Sequence, residues 1–206
     1  MKTIAICDKE YNIECNAFTC IQYRKVFNRG IFEDIQVLKD YLVTQTVTSI
    51  QLKEENPKMS EVELAGKLSD IMMSKLDGFI EAVTRIAYIL IYSANQNIED
   101  YEAFLKSIKA FKIDDDWIVE VTEFAVDAFV DSELSKELEK LSSGDDEKEL
   151  FPEHCFIATC LRAGLTVNDL KILTYVDVMK ILISFIPKKK SNTKKATQAD
   201  IDRFLR

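Results

Sequence analysis

Phe79-Ile80-Glu81-Ala82-Val83-Thr84-Arg85-Ile86-Ala87-Tyr88-Ile89-Leu90-Ile91-Tyr92 is the longest apolar stretch of the chain, and only Glu81 and Arg85 interrupt it with charge. A helix needs about 20 consecutive apolar residues to cross a bilayer, so this run reads as a core helix and not as a membrane span. Upstream, Ser60 and Glu63 spell a capping box in front of Leu64, Leu68 and Ile71. The pattern continues through Leu76 and Phe79, despite Gly78, to about Asn95. Apolar over much of its circumference, this helix is expected at the centre of the fold.

Further upstream, Asn56-Pro57 breaks the chain. Before it, Phe32, Ile35, Leu38 and Leu42 mark a helix from about Ile31 to Tyr41. The β-branched run Val43 to Ile50 fits helix or strand, and helix is preferred. Asn16 suits the cap of a first helix through Phe18, Ile21, Tyr23, Val26 and Phe27, and Gly30 suits its left-handed stop. The opening alternates apolar and polar residues on either side of Asp8-Lys9-Glu10, which predicts a β-hairpin over 2–15 with Ile4, Ile6, Ile13 and Cys15 inward or paired.

Downstream, helices are expected around Glu99 to Phe111 and Asp116 to Phe129, with Asp114, Asp115 and Asp116 at the positive end of the latter's dipole. Ser132 to Leu141 reads as a charged amphipathic helix or a continuation of the one before it, followed by a loop over Ser142 to Glu147. Pro152 opens a helix stopped at Gly164, and Thr166 and Thr174 cap Val167 to Leu173 and Tyr175 to Ile186, with Asp177 in the box position. The fold class expected is mainly α: a multi-helix bundle with a small N-terminal β-hairpin over 1–187, followed by a basic linker and a short amphipathic helix over 188–206.

Composition supports this class. The chain has 206 residues, 47% hydrophobic and 30% charged, with only 5 Gly and 3 Pro, too few turn formers for a many-stranded β fold. Its net charge is −8. Residues 188–206 hold seven Lys/Arg against two Asp, a local +5, which leaves −13 on 1–187. An acidic body disfavours a phosphate backbone as the main ligand. Five cysteines in no disulfide framework, with no leader-like opening, fit a reducing cytoplasm.

No catalytic apparatus can be assembled from the sequence. His154 is the sole histidine, which excludes a two-histidine metal site, and its neighbour Cys155 points about 100° away on a helix. Cys155 and Cys160 stand five apart, outside chelating spacing, and the glycines form neither a dinucleotide fingerprint nor a P-loop. The acidic clusters lack an EF-hand register. The expectation is therefore no enzyme, no cofactor and no metal. The tail carries Ile201, Phe204 and Leu205 as one apolar strip, capped by Thr197 with Asp200 in the box position. A helix so short needs a body or a partner to fold against.

Three stretches together resemble a known family: Asn16-Ala17-Phe18-Thr19-Cys20-Ile21-Gln22-Tyr23-Arg24-Lys25-Val26-Phe27-Asn28-Arg29-Gly30 behind the hairpin, Gly164 to Leu170 with Leu173 to Val178, and Ala196 to Leu205. The chain resembles the tail assembly chaperones of long-tailed bacteriophages and of related phage tail-like particles from Gram-positive bacteria. The resemblance implies a helical protein of the host cytoplasm, absent from the mature particle, that binds the tape-measure protein and recruits tail-tube subunits without turnover. Assembly of several copies is open. Tyr23, Arg24 and Phe27, together with Ile201, Phe204 and Leu205, are the candidate protein-contact residues, although core packing suits Tyr23 and Phe27. The alternative is a nucleic-acid-binding or regulatory helical protein acting through the basic tail, and an enzyme built on Cys155 and His154 ranks far behind.

Overall fold

A computed structural model describes residues 1–108, 115–129, 131 and 153–186. It is mainly α, with eight helices and one two-stranded antiparallel hairpin among the described residues. Strands β1 (Lys2–Ile6) and β2 (Lys9–Ile13) pair with Ile4 opposite Tyr11 and Ile6 opposite Lys9. The turn is tighter than the sequence suggests. Cys7 takes a φ of 52°, so Cys7 and Asp8 alone close it and Lys9-Glu10 already belong to β2. Ile4, Ile6 and Ile13 are buried as expected, whereas Cys15 is only half-buried. A lone hairpin is marginal in water, and here Glu14 N–H donates to the Leu90 carbonyl at 3.1 Å.

Helix α1 (Ala17–Phe27) starts at Asn16, whose side-chain oxygen accepts from the Phe18 and Thr19 N–H groups. It stops at Asn28, not at Gly30: Asn28 adopts the left-handed conformation, φ 53°, and returns its N–H to Arg24. Asparagine tolerates that region because its side chain bonds locally. Gly30 instead precedes α2 (Ile31–Glu55), where its N–H donates to the Glu33 carboxylate. The run Val43 to Ile50 is helical throughout, within the 25 residues of α2.

After the break at Asn56-Pro57, α3 (Glu61–Ala94) runs for 34 residues from the Ser60–Glu63 capping box to Asn95. Its second half is the centre of the main core, with Phe79, Val83, Ile86, Ile89, Leu90 and Ile91 buried. Each such side chain contributes about 1.5–3 kcal/mol by leaving water. Two helices complete this core: α4 (Tyr101–Ser107), capped by Asp100 and shorter than expected, and α5 (Asp116–Phe129). Asp114, the expected helix Ser132 to Leu141, and 188–206 lie outside the described residues.

The last three described helices, α6 (Glu153–Arg162), α7 (Val167–Ile172) and α8 (Tyr175–Ser184), build a second core from Phe156, Cys160, Leu170, Val178, Met179 and Leu182 against Ala17. Gly164, φ 87°, turns the chain after α6, and Thr166 and Thr174 cap the next two helices with Asp169 and Asp177 in the box positions. The Leu173 carbonyl accepts from Ala17 N–H at 2.9 Å, so the junction between α7 and α8 satisfies one of the free donors at the start of α1. Tyr175 belongs to both cores, packing on Phe32, Phe129 and Phe156.

Where α1, α2 and α3 meet, the fully buried Asp34 carboxylate gathers three partners. Arg85 donates from Nε at 2.7 Å and Nη2 at 3.1 Å, Arg29 from Nη2 at 3.0 Å, and the Tyr23 hydroxyl donates as well. Burial works against the Arg85 charge, but the hydrogen bonds and charge of Asp34 outweigh it and raise the guanidinium pKa. Burial and the Asp34 carboxylate both push the Tyr23 phenol upward. Removing Arg85 takes two of the bonds from the buried Asp34 and leaves it with Arg29 and Tyr23. Arg85→Ala is expected to lower the stability measured by urea unfolding by about 3–5 kcal/mol, and an unchanged midpoint would show that the cluster is dispensable.

Candidate functional site

Among the described residues, the nominated Tyr23, Arg24 and Phe27 do not share an open surface. Tyr23 is fully buried with its hydroxyl on Asp34, so its contacts lie within this chain. Phe27 is half-buried, edge-on to Tyr101 at 4.9 Å and to Tyr88 at 6.1 Å. Only Arg24 is exposed among the three. Ile201, Phe204 and Leu205 lie outside the described residues.

Apolar surface is exposed elsewhere. Helices α2 and α3 pack antiparallel: Tyr41 stacks on Phe79 at 4.1 Å, and further out Lys75 Nζ donates to Thr44 Oγ1 at 2.8 Å. The inward stripe of α2 runs Ile31, Ile35, Leu38 and Tyr41, and past Tyr41 most positions are exposed. Leu42, expected on the inward face, is therefore 40% exposed, and Tyr41 takes the inward place. Val43, Val47 and Ile50 are 60%, 45% and 52% exposed. Spacings of four and three place them on one outward face.

That face also lacks charge. Twelve consecutive residues, Tyr41 to Leu52, include no Asp, Glu, Lys or Arg. The only longer uncharged run that lies wholly within the described residues, Ile86 to Ile98, begins in the buried core of α3. The outer half of α2 thus exposes Val43, Val47 and Ile50 among uncharged Thr, Gln and Ser residues. Seven of the eight residues from Val43 to Ile50 are β-branched or serine, poor helix formers, so this stretch depends on packing against α3.

A groove of about 400 Å³ opens at the base of this helical pair. Tyr41, Leu42, Phe79, Ile118 and Val119 line it, with Gln45, Thr122 and Glu123 supplying polar groups. Leu42 and Val119, 40% and 49% exposed, present their side chains to solvent there. An apolar floor with a few polar groups suits the hydrophobic stripe of a helix. The sequence signals for these residues were the uncharged run and the four-three spacing of Val43, Val47 and Ile50.

Among the described residues the groups capable of covalent or metal chemistry are scattered. Among the described residues no cluster of three or more His, Cys, Asp or Glu is placed to hold a metal ion. Cys7 and Cys155 are exposed, whereas Cys20 and Cys160 are buried. Burial pushes the Cys15 thiol up to about 12 and the Cys160 thiol to about 11. Among the described residues no helix is long and apolar enough to cross a membrane.

Two outcomes follow from the thiols. Maleimide at about pH 8 should label Cys7 and Cys155 quickly and the other three cysteines only on unfolding, because the thiolate is the reactive form and burial suppresses it. Above the ordinary thiol value of 9.0, the folded chain keeps a proton on Cys15 that the unfolded chain releases, up to about 12. Stability should therefore fall as pH rises through that window, and Cys15→Ala should flatten the fall in urea midpoints. Comparison with protein-family models, with curated proteins and with solved structures finds no match for this chain.

Proposed function

We propose that this protein is a tail assembly chaperone, which holds an amphipathic helix of a phage tape-measure protein and recruits tail-tube subunits to it without turnover. The observation that carries the reading is the open apolar groove between α2, α3 and α5, floored by Phe79, Tyr41 and Ile118. A tape-measure protein exposes long amphipathic helices that aggregate unless covered, and a groove of this composition suits a few side chains of such an apolar stripe. The resemblance at Asn16 to Gly30 and Gly164 to Val178 adds support, since these segments form the capped α1 and the α7–α8 unit that together position the second core. A net charge of −8 keeps a chaperone–client complex soluble.

The test is co-expression with a helical tape-measure fragment and, separately, with a tail-tube subunit. The expected result is a co-purifying complex, weakened roughly 30-fold or more when charge enters the groove through Leu42→Glu with Val119→Lys. Absence of any complex with either client overturns the reading. Binding to nucleic acid that falls steeply with salt and is lost on removing 188–206 would replace it with the alternative role.

A further inference from the structure

The uncharged stripe on α2 is bounded by charges in an order that the same stripe, turned end for end, satisfies. Lys39-Asp40 precedes Tyr41 to Leu52, and Lys53-Glu54 follows. Residues Asp40, Val43, Val47, Ile50 and Glu54 recur at spacings of three and four, with Lys39, Thr46 and Lys53 alongside at spacings of seven, so all share one side of the helix. Asp40, Val43, Thr46, Val47, Ile50, Lys53 and Glu54 are exposed, and among the described residues the Asp40 carboxylate accepts only from Gln36 Nε2, at 2.7 Å.

We propose that this stripe is the contact between two copies of the chain, crossing antiparallel about a two-fold axis that passes between Thr46 and Val47. With the axis there, Val43 of one copy meets Ile50 of the other, and Thr46 meets Val47. The same operation sets Asp40 against Lys53 and Lys39 against Glu54, each pair made twice. A parallel in-register pairing would instead oppose Asp40 to Asp40 and Lys53 to Lys53, so charge selects the antiparallel arrangement. A two-fold contact must use the same patch on both partners, and here the patch is its own complement in shape of sequence and in charge.

The choice of a second copy over a foreign partner rests on that complementarity. A chain with net charge −8 repels itself over most approaches. The charge-free stretch is where the repulsion is absent, and its two ends supply attraction. From Lys39 to Glu54 the contact runs about 24 Å along the helix, four and a half turns or so, and α3 behind each α2 makes the assembly a four-helix bundle. The proposal stands apart from the chaperone reading, because this chain alone suffices to form the dimer.

Sedimentation velocity and light scattering on the full chain across a concentration series provide the test. The expected species has twice the 23.7 kDa mass of one chain. Val47→Glu places like charges beside the axis and should weaken dimerisation roughly 100-fold or more, with circular dichroism unchanged because Val47 is exposed. Asp40→Lys alone should weaken it by about fivefold or more, and Asp40→Lys combined with Lys53→Asp should restore it. A monomer at every concentration overturns the proposal. So does a dimer indifferent to Val47→Glu, and a dimer that the charge exchange fails to rescue overturns the antiparallel register.

Discussion

One buried carboxylate fixes how the first three helices meet. Asp34 sits on the first turn of α2, yet its partners come from α1, from the turn after α1 and from the far half of α3. A buried charge is tolerated only when paired and hydrogen-bonded, so α3 can slide neither along nor around α2 without stranding Asp34. Arg85 stands in the middle of the most apolar stretch of the chain, where its cost is offset by Asp34 and, at 3.1 Å, by Glu81. Hydrophobic burial drives these helices together; the ion cluster selects one register among many that would bury similar area.

That register has consequences at the other end of the helical pair. With Tyr41 stacked on Phe79, the remaining turns of α2 have α3 on one side and solvent on the other. The sequence there departs from an ordinary solvent-facing helix by carrying no charge over Tyr41 to Leu52. Such a surface adds only part of its apolar area to the stability of one chain, because about half of Val43, Val47 and Ile50 stays in water. It suits the self-contact proposed above, and the ends of the stripe carry the charges that would give such a contact a direction.

The second core shows a different economy. Helices α6, α7 and α8 are short, six to ten residues each, and would be marginal alone. They hold through capping boxes at Thr166 and Thr174, through the bond from Ala17 to Leu173, and through Tyr175, which reaches the larger core. Local hydrogen bonding sets where each helix begins, and aromatic contact sets where the unit docks.

Much of this was readable from residue order. Period-2 alternation marked the hairpin, and caps at Asn16, Ser60, Thr166 and Thr174 marked helix starts to the residue, because a cap is a bond between neighbours in sequence. Composition and periodicity alone determined a mainly α chain built around Phe79 to Tyr92. Only the tertiary structure decided that Asn28 rather than Gly30 stops α1, that Leu42 faces outward, that Tyr23 is sealed beneath Asp34, and that Val43 to Ile50 is an open stripe. The physical reason is that a helix repeat states which residues share a face, while the partner covering that face, or leaving it uncovered, comes from residues tens of positions away.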